Sequence, residues 1–223
     1  MKKISLLLVL FVVGSFTSTA QFSAGGGYSI YKSLNSTVTW QGIQGFVEFP
    51  RTESNTFFLR LTTMLPQQNT TDLSLYATAY ELSTSPQQVP VSIEQISSTS
   101  FISIDGGNRT FFMNTYDAGV APYFSSHARG IFGSAKTRSN VSYFDPEKYQ
   151  SPYQENETKE SSVFVGMGVN FGVKYQLPYR GAILFDLGVE YVLALYDAAD
   201  FFYYGEITPI SFFANVSYRF DWY

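Results

Sequence analysis

Between Gly181 and Asp197 the chain reads GAILFDLGVEYVLALYD, an apolar run long enough to suggest a membrane helix but for Asp186 and Glu190 inside it. A helix would turn those carboxylates towards lipid, where a charge is costly. Counting alternate positions removes the conflict. Ile183, Phe185, Leu187, Val189, Tyr191 and Leu193 share one parity, and Ala182, Leu184, Asp186, Gly188, Glu190 and Val192 share the other. The period is two, so the segment is a strand, and both carboxylates leave its apolar face together.

The same alternation recurs along the chain. Val163, Val165, Met167, Val169, Phe171, Val173 and Tyr175 oppose Phe164, Gly166, Gly168, Asn170, Gly172 and Lys174. Near the end, Ile210, Phe212, Ala214, Val216, Tyr218, Phe220 and Trp222 oppose Ser211, Phe213, Asn215, Ser217, Arg219, Asp221 and Tyr223. Earlier, Phe57, Leu59 and Leu61 oppose Phe58, Arg60 and Thr62, while Ile102, Ile104 and Phe112 oppose Asp105 and Arg109. This pattern predicts strands over residues 22–33, 38–50, 56–82, 89–112, 119–137, 162–176, 182–195 and 209–222.

Short connections (PRTESN, MNTYDAG, QLPYRG) alternate with longer ones around residues 83–88, 138–161 and 196–208. That asymmetry predicts an eight-stranded antiparallel up-and-down barrel with both termini at the short-turn end, and an even strand number is the rule for single-chain outer-membrane barrels. The third and fourth strands are longer than the 9 to 11 or so residues a crossing needs. They are expected to form a hairpin rising above the bilayer, bending or leaving it near Pro66. Dividing residues 66–112 into more crossings would make ten strands.

Periodicity alone does not choose between a water-soluble barrel with an apolar inside and a membrane barrel turned inside out. Aromatic residues choose the membrane: Tyr175, Tyr179, Tyr191, Tyr196, Phe201 to Tyr204, Trp222 and Tyr223 gather at predicted strand ends, where interfacial girdles belong. The opposing face is small and charged, which suits a crowded lumen. Transmembrane β-strands of this kind also need an export route. The opening MKKISLLLVLFVVGSFTSTA has two lysines, a short apolar core and small residues ending at Ala20. It reads as a signal peptide over residues 1–20, leaving a barrel domain over residues 21–223. Losing Lys2 and Lys3 lowers the formal charge from −4 to −6, which excludes a basic nucleic-acid binder. With no cysteine and one histidine, neither a disulfide framework nor a thiolate metal site is available, and no metal or other cofactor is expected.

The export signal ending TAQ, the segment SFISIDGGNRTFFMNTYDAG and the aromatic terminus ANVSYRFDWY resemble small outer-membrane β-barrels of the OmpA-transmembrane and OmpX type, and more narrowly the PorT-like barrel proteins of Bacteroidota. The resemblance implies an outer-membrane location surrounded by outer-membrane lipid, and a terminal strand read by the barrel assembly machinery through Val216, Tyr218, Phe220 and Trp222. It also implies a porin-like architecture rather than an activity.

Charges on the polar parity are expected in the lumen: Glu48, Arg60, Asp105, Arg109, His127, Arg129, Lys174, Asp186, Glu190 and Arg219. Eight strands leave room only for side chains, so these charges are expected to form an ion-pair network. Hairpin geometry suggests Asp186 or Glu190 against Arg219, and Glu48 near Arg60. A Ser125 and His127 pair oriented by Glu190 would be the only route to a nucleophile, but serine is abundant here and the spacing defines no third member. The expected role is therefore non-catalytic: structural, adhesive or recognition, with loops meeting an unknown extracellular partner. A secretion accessory or narrow channel comes second, and a lipid-modifying enzyme third.

Overall fold

The structure is a computed structural model that describes residues 22–81, 85–113, 119–141, 145–150, 157–178, 181–197 and 207–222. The expected signal segment, and the aromatic cluster at residues 201–204, lie outside the described residues. Ten β segments form one antiparallel sheet: β1 (Phe22–Ser33), β2 (Trp40–Pro50), β3 (Asn55–Met64), β4 (Gln67–Ala79), β5 (Gln88–Phe111), β6 (Val120–Val141), β7 (Tyr149–Gln150), β8 (Glu157–Leu177), β9 (Gly181–Asp197) and β10 (Ile210–Trp222). Eight of them close a ring in the order β3-β2-β1-β10-β9-β8-β6-β5, sealed by pairing of β3 with β5. The fold is all-β, an eight-stranded up-and-down barrel, and closure leaves no unpaired edge around its wall.

The single long third strand expected from the sequence is two strands. Thr63 pairs with Ile102 and Gln67 with Thr99, so three residues of the β3–β4 path face two of β5. That extra residue is a bulge at Met64, Leu65 and Pro66. Proline lacks the amide that a regular ladder would need, which is why the interruption falls there. Leu65 still donates to Gln41 of β2 at 2.7 Å; beyond it β2 has ended and β4 continues upward against β5.

The pairs from Gln67↔Thr99 to Thr78↔Gln88 therefore run past the barrel rim, on the order of 35 Å of strand at about 3.3 Å per residue. β6 and β8 accompany them, through Ile93↔Val141 and Arg138↔Glu157. The longer connection expected around residues 138–161 is partly strand: β7 pairs with the top of β4, and β8 begins at Glu157. Ala77, Val91, Ile93 and Tyr149 form a small core inside this projecting sheet.

At the opposite rim the β2–β3 turn is tight. In the β2–β3 turn the Thr52 hydroxyl accepts from the backbone amides of Ser54 and Asn55 at 3.4 and 3.1 Å. Such hydroxyl-capped turns satisfy backbone donors that the ladder has released. Both described termini, Phe22 and Trp222, pair with each other at this rim.

The two faces of the wall are inverted relative to a water-soluble barrel. On β9, Phe185, Leu187 and Val189 are 43%, 52% and 38% exposed, whereas Asp186 and Glu190 are 1% and 2% exposed. Ile104, Phe132, Met167, Phe171 and Phe212 carry the exposed apolar belt around neighbouring strands. Above it the exterior turns polar, beginning with the exposed Lys136–Glu157 ion pair at 2.9 Å. A closed barrel with an apolar belt outside and charges inside meets the conditions for crossing a bilayer, because its strands are paired all round the ring and only hydrocarbon suits the belt.

Candidate functional site in the lumen and projecting sheet

Alternation on eight strands sends one residue in two into a narrow interior, and charges that enter it must find partners there. Arg60, Arg109, Arg129, Lys174 and Arg219 are buried together with Glu48, Asp105, Asp186, Glu190 and Asp221. Cations and carboxylates are thus equal in number among these groups.

Three knots organise them. Across the closing seam, Arg60 Nε and Nη2 donate to Asp105 Oδ2 at 2.8 and 2.5 Å, and Arg129 Nη2 approaches the same oxygen at 3.7 Å. Further round, Glu190 accepts from Arg129 Nη1 at 2.9 Å and faces His127 Nε2 at 3.3 Å. Towards the short-turn rim, Glu48 accepts from Arg109 Nη1 at 2.7 Å and from the Thr56 hydroxyl at 2.5 Å, with Arg219 Nη1 3.4 Å away. Arg219 also lies against Asp221, its Nε 2.8 Å from Oδ1.

The partners differ from those hairpin proximity suggested. Arg219 stands opposite Ala182, and Asp186 opposite Asn215, so Arg219 turns to Glu48 and Asp221. Asp186 instead accepts from the Tyr123 hydroxyl at 2.6 Å and from Asn170 Nδ2 at 2.8 Å. Arg60 pairs with Asp105 rather than Glu48, because it stands opposite Asp105 on β5 and opposite Phe46 on β2. Lys174 is fully buried; its ammonium has no hydrogen-bond or ion-pair partner among the described residues and lies 5.4 Å from the centre of the Phe111 ring.

Sequence reasoning passed over Tyr123, Asn170, Asn215 and Asp221. Asp221 could have been found, since it shares a strand face with Arg219. Asn215 joins two strands: with its oxygen towards Arg60 Nη1 at 2.8 Å, its amide nitrogen donates to Ser29 Oγ at 2.7 Å.

The lumen also contains apolar layers that alternation did not reveal. Tyr31, Trp40, Met64, Phe101, Ile131, Phe164, Val192 and Phe213 are all at most 3% exposed and pack as one cluster. On each of their strands they lie on the long-hairpin side of the charged groups. Trp40 meets Phe101 edge-on at 4.9 Å, and Phe213 stacks under Arg129 at 5.1 Å. The barrel is thus stoppered by aromatic rings at its long-hairpin end. Glycines make the room: a Cβ on Gly168 would stand 2.6 Å from His127 Cε1, and one on Gly188 would overlap the Phe213 ring.

Ser125 and His127 do not form a nucleophile pair. His127 faces Glu190 and, edge-on, Phe213 at 5.3 Å, while the Ser125 hydroxyl accepts from Asn170 at 3.3 Å. No cluster of metal-ligating side chains occurs among the described residues. On the terminal strand, Val216, Tyr218 and Phe220 face outward at 49%, 45% and 36% exposure; the Trp222 side chain lies outside the described residues.

The fold and its charged, stoppered interior define an outer-membrane-type β-barrel. No protein-family model and no curated protein sequence matches the chain. Among solved structures, it is similar to a major outer membrane protein from Thermus thermophilus, at 14% identity over 92% of this chain and 100% of that one, TM-score 0.49. It is also similar to Neisserial surface protein A, at 13% identity over 91% and 97%, TM-score 0.46, and to the attachment invasion locus protein of Yersinia pestis, at 12% identity over 91% and 97%, TM-score 0.41. The assignment to the barrel class rests on the chain's own closed ring and inverted faces.

Proposed function

We propose that this protein is exported to a bacterial outer membrane and serves there as a non-catalytic recognition or adhesion barrel, displaying the projecting β4–β5–β6–β8 sheet outside the cell. The observation that carries the reading is the contrast between the barrel's two ends. At the short-turn rim β2 and β3 stop in a tight turn and the two described termini pair, while at the other rim strands continue as a sheet with its own core of Ala77, Val91, Ile93 and Tyr149. A sheet that holds its own core beyond the bilayer presents an ordered surface, and such surfaces carry binding on a rigid scaffold.

The lumen supports the non-catalytic, non-conducting part. All of its arginines and most of its carboxylates are engaged with one another, and an aromatic stopper lies on their long-hairpin side. A transport or secretion accessory of the PorT-like kind remains the alternative suggested by sequence resemblance, acting through the projecting sheet rather than a pore. In this reading residues 1–20 are removed on export, and the outward Val216, Tyr218 and Phe220, with Trp222, are the handle for the barrel assembly machinery.

Protease treatment of intact cells tests the orientation. Cleavage within residues 145–160, with the barrel fragments retained in the membrane, is the expected result. Cleavage there only after the outer membrane is permeabilised would place the sheet on the periplasmic side and end the proposal.

A further inference from the structure

Alternate residues of a strand share a face, so the outward residues of neighbouring strands form rows across the wall. Over β5, β6 and β8 the last apolar row of the belt is Ile102, Phe132 and Val163. The next row towards the long hairpins is Ser100, Ser134 and Ser161, and the row after it is Ser98, Lys136 and Lys159. Arg138 stands opposite Glu157 in the row beyond. Four residues of a strand tilted by about 40° climb roughly 10 Å. Hydroxyls and then ammonium groups therefore follow the hydrocarbon belt at the depth of lipid headgroups.

Lys136 and Lys159 are directly opposite one another, and both are exposed. Like charges so placed repel. Glu157 turns to Lys136 at 2.9 Å, but with Arg138 these rows hold three cations and one carboxylate among the described residues, in a chain whose formal charge is −4. An anion seated between the two lysines removes the conflict.

Below this patch the outward side of β6 is small. Gly130 and Ala128 follow Phe132, and Gly106 of β5 stands beside Ala128. Val165 and Met167 of β8 rise along one side. The result is a groove in the apolar belt, made of two adjoining hollows of about 450 and 650 Å³ that share Ala128 and Met167. A cationic, hydroxyl-lined patch thus sits at the head of an apolar groove on the same two strands.

We infer that this face of β6 and β8 is a binding site for one phosphorylated lipid of the surrounding bilayer, its phosphate between Lys136 and Lys159 with the Ser134 and Ser161 hydroxyls as donors, and an acyl chain along Gly130 and Ala128. A second copy of the chain is a poorer occupant. Packed on this face about a two-fold axis along the membrane normal, it meets the same patch at the same height and sets cations against cations. The site goes beyond the recognition role proposed above. Only the choice of leaflet rests on that reading, since a projecting sheet outside the cell puts the lipid in the outer leaflet.

The test is native mass spectrometry of the full barrel released from neutral detergent micelles, with phosphatidic acid or phosphatidylcholine of the same chains added. The barrel is expected to retain phosphatidic acid about tenfold more strongly. Lys136→Gln with Lys159→Gln is expected to abolish that preference and leave phosphatidylcholine unchanged, while the two Lys→Arg changes keep it. Lys148→Gln, at an exposed cation far from the patch, is expected to change nothing. Ala128→Phe fills the groove and is expected to weaken phosphatidic acid about threefold. Heat-modifiable gel migration confirms that each variant is a folded barrel. Equal retention of the two lipids, or a preference that survives the double Gln change, overturns the inference. Unchanged retention by Ala128→Phe overturns the groove. Competition by glycerol phosphate or inorganic phosphate at the lipid's own concentration would assign the cations to a soluble anion, and dimers in place of bound lipid would assign the face to a second copy; either result ends the proposal. Cleavage of residues 145–160 only in permeabilised cells would move the lipid to the other leaflet and leave these measurements unchanged, so the two readings fail separately.

Discussion

Arg60 and Asp105 are directly opposed in the register of β3 and β5, consecutive crossings of the wall at the base of the long hairpin, and their side chains meet at 2.5 to 2.8 Å with 4% or less exposure. The base of that hairpin is thus also a buried ion pair. Removing one partner leaves a buried charge uncompensated, so Asp105→Ala is expected to cost about 3 to 5 kcal/mol. The double change Arg60→Met with Asp105→Leu is expected to recover most of that loss. Urea unfolding in micelles, followed by heat-modifiable gel migration, checks both; an Asp105→Ala barrel as stable as the parent would refute the role of the pair.

Gly172 lies on β8 where a Cβ would overlap the Tyr123 ring, and Tyr123 donates to Asp186 at 2.6 Å. Gly172→Ala is therefore expected to displace the ring and cost about 1 to 3 kcal/mol. Tyr123→Phe, which removes only the hydroxyl, is expected to cost about 1 to 3 kcal/mol. Combining them should be less than additive, because both act on one contact; the same unfolding assay measures the cycle.

The two faces predict opposite tolerance to charge. Leu187→Arg puts a cation on the apolar belt and is expected to cost about 2 to 4 kcal/mol near the bilayer midplane. Thr71→Arg, on the exposed β4, should stay within about 0.5 kcal/mol. Unfolding measured in lipid vesicles separates the cases, and equal losses would mean that β9 does not face hydrocarbon.

The aromatic layer above the charges predicts an electrically silent barrel. Purified protein in planar bilayers is expected to give no stepwise conductance. Discrete single-channel steps from the unmodified protein would show a path past Trp40 and Phe101 and favour the channel reading.

β7 is held to β4 by a turn in which Asp145 binds Lys148 at 3.2 Å and accepts from the Glu147 amide at 3.1 Å. The hydrogen bond from Lys148 holds the Asp145 carboxyl below its usual range. A depressed carboxylate stabilises the turn above its unfolded pKa, and that contribution is lost as pH falls through the folded value. Protection of the Tyr80 amide, which donates to Lys148, taken relative to its intrinsic exchange rate at each pH, should fall on acidification below the ordinary carboxylate range. In Asp145→Asn that protection should already be low at neutral pH and change little with acid.

Much of the architecture follows from period-two alternation read with chain order. It places Asp186, Glu190, Arg219 and Lys174 on one side of the wall and Phe185, Val189 and Phe212 on the other, since successive side chains of a strand cannot share a face. It also separates short turns from long excursions and so orders antiparallel neighbours. Proline chemistry marks Pro66 as a point of interruption.

Pairings inside the lumen depend on register between strands distant in sequence, and no local pattern encodes that. The β3–β5 register brings Arg60 to Asp105, while Arg109–Glu48 and Arg129–Glu190 each bridge strands two apart in the curved wall. The aromatic stopper likewise exists because curvature converges Trp40, Phe101 and Phe213 from three strands onto glycine-lined space. Alternation in one strand selects a side of the wall, but what each side chain meets there is set by tilt, stagger and closure of the whole sheet.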